Sequence, residues 1–395
     1  MHRFMQCVGF VAFAFGLLAQ LATAGAQGQA FQTSAPYAIL VDYDSGTVLL
    51  EKNADELMSP ASTTKIMTAE IVFHELVEGR LKLDDVMTIS ENAWRQGGAS
   101  SHGSTMFAKV NSEVRVEDLI RGLVIASGND AAIALAEGVA GTEDAFAAMM
   151  TKRARELGLN HLTFKNAWGR GDPQHKVTAR EMAQLAAHVI KTYPQYYKYF
   201  GERDFTWDRI RQLNRNPLLT MNIGADGLKT GDIAESGYGL VGSAVQNGQR
   251  LILVINGMKT ARERADEARK LLEWGFRAFD AKEAFAAGET VGTARVYGGA
   301  QSEVPLVADH PIRILVPRGS GDKITGKIVY QGPLRAPVEE GKEVATLKVW
   351  RGTTEVLDAP LRTAASVEVG SLPKRALDAG SELATSLVLK SFAKN

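Results

Sequence analysis

From Ser59 to Thr68 the chain reads SPASTTKIMT, and this stretch decides how the rest is interpreted. Ser59 and Pro60 are residue types favoured as the N-cap and the first residue of a helix. In such a helix Ser62 and Lys65 share one face, one turn apart. A hydroxyl beside a potential base is an arrangement used for nucleophilic catalysis. The stretch therefore predicts the start of a helix that carries a reactive serine.

Two further short motifs follow this stretch in a fixed order. Ser127-Gly128-Asn129 interrupts two apolar helical runs, and Lys229-Thr230-Gly231 leads towards strands. The Ser-x-x-Lys spacing also occurs at Ser320/Lys323, Ser371/Lys374 and Ser391/Lys394. Those pairs lie C-terminal to the Lys-Thr-Gly motif, so only Ser62/Lys65 can head the series.

The composition indicates a globular protein of two or more domains, with 395 residues of which 45% are hydrophobic and 23% charged. The formal net charge is zero, so bulk electrostatics do not favour nucleic acid as a partner. The single cysteine, Cys7, lies within residues 1–26, which are predicted to be a signal peptide that is removed. The mature chain would then have no thiol. His74 and Glu75 begin a zinc-helix pattern that Glu78 does not complete. We therefore expect neither a metal site nor a cofactor.

The N-terminus has the organisation of a secretory signal peptide over residues 1–26. A basic start precedes a mostly apolar run from Val8 to Leu21, and small residues follow. They place the cleavage site after Ala24 or Ala26. An uncleaved membrane anchor is the alternative, although the apolar run is short for a span.

Residues 27–284 are predicted to form an α+β domain with an antiparallel sheet flanked by helices. Its predicted strands are 37–41, 47–50, 238–244 and 250–256, and its helices are one from Pro60, several between 116 and 156, and those at 178–190 and 262–279.

From 285 to 372 short Val, Ile and Leu runs alternate with Gly, Pro and Asp, which predicts a small all-β domain. Residues 373–395 have the periodicity of an amphipathic helix, with Leu377, Leu383 and Leu387 on the apolar side. Two interpretations remain open: a helix that lies in a membrane surface, and a helix that packs on the β domain.

The ordered motifs resemble those of the penicillin-recognising serine enzymes. The resemblance is closer to the low-molecular-mass penicillin-binding proteins, the D-alanyl-D-alanine carboxypeptidases, and it implies a β-lactamase/transpeptidase-like fold. The trailing β domain and the amphipathic helix also fit membrane-attached members of that family. The resemblance is carried by PASTTKIMT at 60–68, SGNDAA at 127–132, DGLKTG at 226–231 and LLEWGF at 271–276.

Catalytic roles follow for four residues. Ser62 would attack the carbonyl between the two terminal D-alanines of a peptidoglycan stem peptide and form an acyl-enzyme. Lys65 must be neutral to take the Ser62 proton, and burial together with the nearby charge of Lys229 should lower its pKa. The resemblance implies that Ser127 relays the proton to the leaving D-alanine and that Asn129 orients Lys65 and the substrate amide.

Substrate-binding roles are implied for the last motif and its surroundings. Lys229 and Thr230 would hold the terminal carboxylate, and the N–H of Asp232 would join that of Ser62 as an oxyanion donor. Gly231 would let the substrate backbone approach the strand edge, and Arg264 is a secondary carboxylate contact. Asp232 departs from the pattern, because many relatives carry His, Tyr or Phe there. Its carboxylate either weakens binding of an anionic substrate or pairs with Lys229.

Three functions remain open from the sequence. The first is a periplasmic DD-carboxypeptidase that β-lactams inhibit and that attaches to the outer face of the inner membrane. The second is a β-lactamase or DD-endopeptidase on the same fold, for which Glu156 in a Glu-x-x-Leu-Asn pattern is a candidate base, although a solvated helix end is the simpler interpretation. The third is a non-catalytic wall-binding protein.

Overall fold

The computed structural model describes residues 6–11, 31–319, 321 and 323–379. Most of the predicted signal peptide and residues 380–395 of the predicted terminal helix lie outside the described residues. The described chain forms two compact units. The first unit comprises residues 31–44 and 49–278, and the second comprises residues 6–11, 45–48 and 279–379.

The strands, in chain order, are β1 Gln6–Val11, β2 Tyr37–Asp42, β3 Val48–Lys52, β4 Val86–Thr88, β5 Glu113–Arg115, β6 Asp204–Trp207, β7 Ile210–Leu213, β8 Ala225–Ile233, β9 Gly237–Gln246, β10 Gln249–Met258, β11 Phe279–Phe285, β12 Thr290–Tyr297, β13 Glu303–Val307, β14 Ile312–Pro317, β15 Ile324–Gln331, β16 Leu334–Arg335, β17 Glu343–Arg351 and β18 Thr354–Thr363. The helices are α1 Lys65–Val77, α2 Val116–Val124, α3 Asn129–Ala140, α4 Glu143–Glu156, α5 Ala179–Thr192, α6 Pro194–Gly201 and α7 Ala261–Ala278.

The main sheet of the first unit has five strands in the order β3-β2-β10-β9-β8. The pairs β2/β10, β10/β9 and β9/β8 are antiparallel, and residues 251–256 of β10 are buried without interruption. Such a run, buried on both faces, is expected of a central strand that helices cover. Helices α5 and α7 pack against β10, and α6 packs against β8. The predicted α+β fold class, with an antiparallel sheet flanked by helices, is confirmed.

Two local predictions in the first unit need correction. The predicted helix at Pro60 begins as a 3₁₀ turn, Ala61–Thr64, and becomes α-helical only at Lys65. No side chain caps this turn, and Ala61 has a φ of 47°, so Ser59 and Pro60 do not act as an N-cap and a first α-helical residue. The second correction concerns the Lys-Thr-Gly motif, which lies within edge strand β8 rather than ahead of the strands.

The second unit is mostly β structure. Its largest sheet has seven strands in the order β1-β15-β17-β18-β13-β12-β16, and β11 pairs with β14. Alternate residues of β15 and β17 are buried in one apolar core that includes Ile328, Tyr330, Leu347 and Val349. After α7 the first strand of this unit is β11, which begins at Phe279, six residues before the start of the predicted β domain at residue 285.

The end of the described chain is helical over residues 372–379. Asp378 accepts a hydrogen bond from the Gly298 N–H at 2.9 Å, and Lys374 donates to the Ala300 carbonyl at 2.7 Å. The Leu377 side chain is 74% exposed. Among the described residues, no helix has both the length and the apolar character that crossing a membrane requires.

Candidate active site

Ser62 and Lys65 are neighbours because the chain between them is a 3₁₀ turn. In a 3₁₀ helix the side chains at i and i+3 lie one above the other, closer to alignment than in an α-helix. The Lys65 Nζ lies 3.0 Å from the Ser62 Oγ. The predicted pairing of hydroxyl and amine is therefore present, on a tighter turn than the sequence indicates.

The Lys65 amine has two further neighbours, and both are acceptors. Its Nζ lies 2.8 Å from the Asn129 Oδ1 and 2.8 Å from the Trp168 carbonyl oxygen. A neutral amine has two N–H groups and one lone pair. If both N–H groups donate to these oxygens, the lone pair faces Ser62, and the Ser62 hydroxyl can donate to it. The three contacts thus suit a neutral lysine that accepts a proton from Ser62.

The charge state of Lys65 follows from its surroundings. The residue is 0% exposed, and burial is the largest of the causes that hold its pKa well below the usual lysine value. The positive charges of Lys229 and Arg215 lower the pKa further, while Asp130 opposes them. The prediction that burial and Lys229 lower this pKa agrees with the structure, and Arg215 is an additional cause.

The Ser127-Gly128-Asn129 motif forms the connection between α2 and α3. Ser127 is buried, with a φ of 59°, and Asn129 is the first residue of α3. Asp130 is bound to the segment that contains Met106 and Ala108, because its carboxylate accepts hydrogen bonds from the N–H groups of these two residues at 2.9 and 3.1 Å. This buried carboxylate fixes the position from which Asn129 reaches Lys65.

Strand β8 lies directly against the Ser62 turn. A Cβ at Gly231 would stand 2.9 Å from the backbone nitrogens of Ser62 and Thr63, closer than real Cβ contacts allow. Glycine is therefore required here for contact between the strand and the turn, a reason that differs from the predicted approach of substrate. Within the described chain, no side-chain hydrogen bond joins the buried hydroxyls of Ser127 and Thr230 to Ser62 or Lys65.

Three cations and one carboxylate surround the end of β8. Lys229 is 1% exposed, and burial, Arg215 and Arg264 lower its pKa to about 7, while Asp232 raises it. The Asp232 Oδ1 lies 4.0 Å from the Arg264 Nη1, and the Arg264 guanidinium lies over the Tyr238 ring at 5.5 Å. Among the described residues, the buried Nε and Nη1 of Arg264 have no hydrogen-bond partner. Two of the predicted carboxylate contacts, Lys229 and Arg264, therefore form a positive cluster with Arg215, and Asp232 partly neutralises it.

Sequence reasoning missed two contributors to this site. Arg215 lies in an exposed position before β8, and its spacing from Lys229 matches no motif used in the prediction. Trp168 contributes a backbone carbonyl, for which the side-chain identity gives no signal. Only the folded chain brings them to Lys65.

The candidate base for a β-lactamase lies elsewhere in the first unit. Glu156 ends α4 with its side chain 48% exposed, and it forms ion pairs with Arg153 at 3.4 Å and Lys152 at 3.7 Å. It is the solvated helix end that the simpler interpretation predicts. Within the described residues no group of histidine, cysteine and acidic side chains could hold a metal ion.

Comparison with known proteins shows which family this chain resembles. Residues 23–260 match the model of the D-alanyl-D-alanine carboxypeptidase family, peptidase family S11, and residues 279–369 match the C-terminal domain of penicillin-binding protein 5. The D-alanyl-D-alanine carboxypeptidase DacC of Escherichia coli is 41% identical over 86% of both chains. DacA of Haemophilus influenzae is 38% identical over 79% of this chain and 80% of its own.

Solved structures agree with these matches. Penicillin-binding protein 5 from Haemophilus influenzae superimposes with a TM-score of 0.75 at 35% identity, covering 86% of this chain and 99% of its own. Penicillin-binding protein D2 from Listeria monocytogenes, solved in an ampicillin-bound form, has a TM-score of 0.54 at 29% identity and covers 62% of this chain and 98% of its own. The predicted family and fold are confirmed: this chain belongs to the D-alanyl-D-alanine carboxypeptidases of peptidase family S11.

Proposed function

We propose that this chain is a serine-type DD-carboxypeptidase that removes the terminal D-alanine from peptidoglycan stem pentapeptides through an acyl-enzyme on Ser62. The observation that carries the proposal is the Lys65 amine, 3.0 Å from the Ser62 Oγ, buried, and bounded on its other sides by the acceptors of Asn129 and Trp168. This arrangement supplies a nucleophile, Ser62, and a neutral base, Lys65. It needs neither a metal ion nor a histidine to do so.

Acylation moves one proton in two steps. The Ser62 Oγ attacks the carbonyl carbon between the two D-alanines while the Ser62 proton passes to the Lys65 Nζ. The oxyanion that forms accepts hydrogen bonds from the backbone N–H groups of Ser62 and Asp232. When the C–N bond breaks, the proton passes through Ser127 to the amine of the leaving D-alanine. Water then hydrolyses the Ser62 ester and restores the hydroxyl.

Substrate is recognised by its terminal carboxylate. Lys229 and Thr230 hold this group, and Arg264 is a secondary contact: its Nε and Nη1, which lack a hydrogen-bond partner among the described residues, suit a carboxylate. Arg215 adds positive charge to the same place, since it lowers the pKa of Lys229. β-Lactams, which also carry a carboxylate, acylate Ser62 and inhibit the enzyme.

Mass spectrometry after treatment with penicillin, and separately with a pentapeptide ending in D-Ala-D-Ala, tests the proposal. We expect one adduct at Ser62 and release of one D-alanine, and we expect Ser62→Ala to lose both. Ser371→Ala is the matched control, because Ser371 has the same spacing to Lys374 but Lys374 donates to the Ala300 carbonyl. Full D-alanine release by Ser62→Ala would contradict the mechanism, and rapid nitrocefin hydrolysis would favour a β-lactamase.

We further propose that residues 1–26 direct export and are removed, that residues 27–284 and 285–372 are the catalytic and β domains, and that residues 373–395 attach the enzyme to the periplasmic face of the inner membrane. In support, Leu377 of the predicted apolar side is exposed, while Lys374 and Asp378 hydrogen-bond to the backbone of Ala300 and Gly298 in the same unit. Membrane fractionation of a chain lacking residues 373–395 should find it released. Retention of the truncated chain on membranes would contradict the attachment.

A further inference from the structure

His175 is a buried histidine that the mechanism above does not use. The residue is 1% exposed, and its ring packs edge-on against Phe164 at 5.5 Å. Its two ring nitrogens face two different parts of the active site. Nε2 lies 3.0 Å from the Thr64 Oγ1, in the turn that carries Ser62, and Nδ1 lies 3.3 Å from the Asn166 Nδ2.

Asn166 organises the loop that delivers the Trp168 carbonyl. Its Oδ1 accepts hydrogen bonds from the N–H groups of Trp168 at 3.3 Å, Gly169 at 2.7 Å and Arg170 at 2.9 Å. Its Nδ2 donates to the Arg170 carbonyl at 3.0 Å. Because Oδ1 must face these N–H groups, the amide orientation is settled, and Nδ2 faces His175. We refer to residues 166–170 as the Trp168 loop.

The hydrogen bonds also settle the form of the imidazole. Nδ1 accepts from the Asn166 amide, so the ring proton resides on Nε2 and donates to Thr64. A charged ring would place an N–H at Nδ1 against another donor. The pKa of His175 is lowered to about 4, chiefly by burial; Asp172 opposes this shift, and Lys165 and Lys176 add to it. The neutral ring therefore bridges Thr64 and Asn166 throughout the neutral pH range.

A second observation shows that the Trp168 loop lies tightly against the Ser62 turn. Gly169 has a φ of 90°, and a Cβ there would stand 1.8 Å from the Ala61 carbonyl oxygen. The Trp168 carbonyl accepts a hydrogen bond from Lys65 Nζ at 2.8 Å. The loop and the turn are thus in close contact, and the His175 side chain hydrogen-bonds to Thr64 of the turn and to Asn166 of the loop.

We propose that His175 is a positioning residue for acylation: it holds the Trp168 loop against the Ser62 turn, so that the Trp168 carbonyl fixes one N–H of neutral Lys65 and the amine lone pair faces Ser62. The inference rests on the proposed function and adds a residue that touches neither substrate nor the reacting atoms. It acts through Thr64 and Asn166.

The primary test replaces the ring without changing its shape. His175→Phe removes the hydrogen bonds to Thr64 and Asn166, and also the one that the Lys165 N–H donates to Nδ1 at 3.4 Å. We expect the second-order rate of acylation by a fluorescent penicillin to fall roughly 10- to 100-fold, as a small misplacement of a reacting group produces. The acid limb of the pH profile should also move to higher pH, because a loosened loop admits water to Lys65 and relieves the burial that lowers its pKa.

Two further variants separate positioning from general stability. His188→Phe is the matched control, since His188 contacts Glu70 at 3.2 Å and lies outside the site; it should lower Tm without moving the acid limb. His175→Gln, which keeps a donor and an acceptor, should recover part of the rate lost in His175→Phe. Thr64→Val should add little to His175→Phe, because both break the same connection.

Two results with these variants would overturn the positioning role of His175, and one result with the wild type would overturn the proposed function as well. An unchanged rate and acid limb in His175→Phe, in a wild-type background that penicillin acylates, would overturn this inference alone. Equal losses in His175→Phe and His175→Gln with an unmoved acid limb would also overturn it, since they indicate a packing role. A wild-type chain that penicillin never acylates would overturn the proposed function, and this inference with it.

Discussion

The two active-site lysines of the first unit and a sheet lysine of the second unit have opposite surroundings. In the first unit Lys65 and Lys229 are buried, no carboxylate lies within ion-pair distance of either among the described residues, and their pKa values are lowered. In the second unit Lys348 on β17 lies 2.7 Å from Glu355 and 3.0 Å from Asp358 on β18, and hydrogen bonds to these carboxylates raise its pKa. Burial without a counter-ion makes a lysine reactive, whereas paired carboxylates on a sheet surface keep it a cation.

The largest effect is expected from a substitution of Lys65. Lys65→Arg places a group that stays protonated where a neutral base is needed, so acylation by penicillin should fall roughly 10²- to 10⁴-fold, the range that general bases contribute. Rapid-quench measurement of acylated Ser62 checks this. Lys348→Arg is the control and should acylate at the wild-type rate. Normal acylation by Lys65→Arg would show that no neutral amine is required.

A rise in pH should remove the charge of Lys229 and so test its role in the first unit. Its pKa of about 7 means that its charge is present below pH 7 and lost above it, so KM for a D-Ala-D-Ala peptide should rise several-fold between pH 7 and 9. The rise is limited because Arg215 and Arg264 keep their charges. Steady-state kinetics across this range give the measurement.

Asp232→Asn tests the cause of that pH dependence. Asp232 is the neighbour that raises the Lys229 pKa, so the rise in KM should begin at lower pH in the variant. Asp358→Asn is the control in the second unit and should leave the profile in place. A KM that is flat from pH 7 to 9 in the wild type would contradict the assignment of Lys229 to the substrate carboxylate.

The smallest effect is expected at Lys348. Its ion pairs are partly solvated, with the lysine side chain 30% exposed, and pairs of this kind contribute less than about 1 kcal/mol to the free energy of unfolding. Lys348→Met should therefore change the midpoint of urea denaturation little and leave acylation unchanged. A loss well above about 1 kcal/mol would mean that the surface pairs of this unit act as a network.

Much of the site could be predicted because its side chains occur in short motifs. Ser62, Lys65, Ser127, Asn129 and Lys229 stand at fixed spacings, and the structure connects Ser62, Lys65 and Asn129 by direct contacts. The fold was predictable for a related reason, since apolar runs and breakers alternate clearly along both units. The element boundaries were less predictable: the helix at Pro60 begins as a 3₁₀ turn, and strand β8, which is remote in the sequence, packs against that turn.

The sequence by itself determined the family, the order of the catalytic motifs and the need for a neutral Lys65. Only the tertiary structure decided how that need is met. The Trp168 carbonyl lies 103 residues from Lys65 along the chain, and His175 lies 111 residues from Thr64. Backbone acceptors and long-range charges such as Arg215 leave no pattern in a sequence, because their effect depends on distance and burial rather than on residue type or spacing.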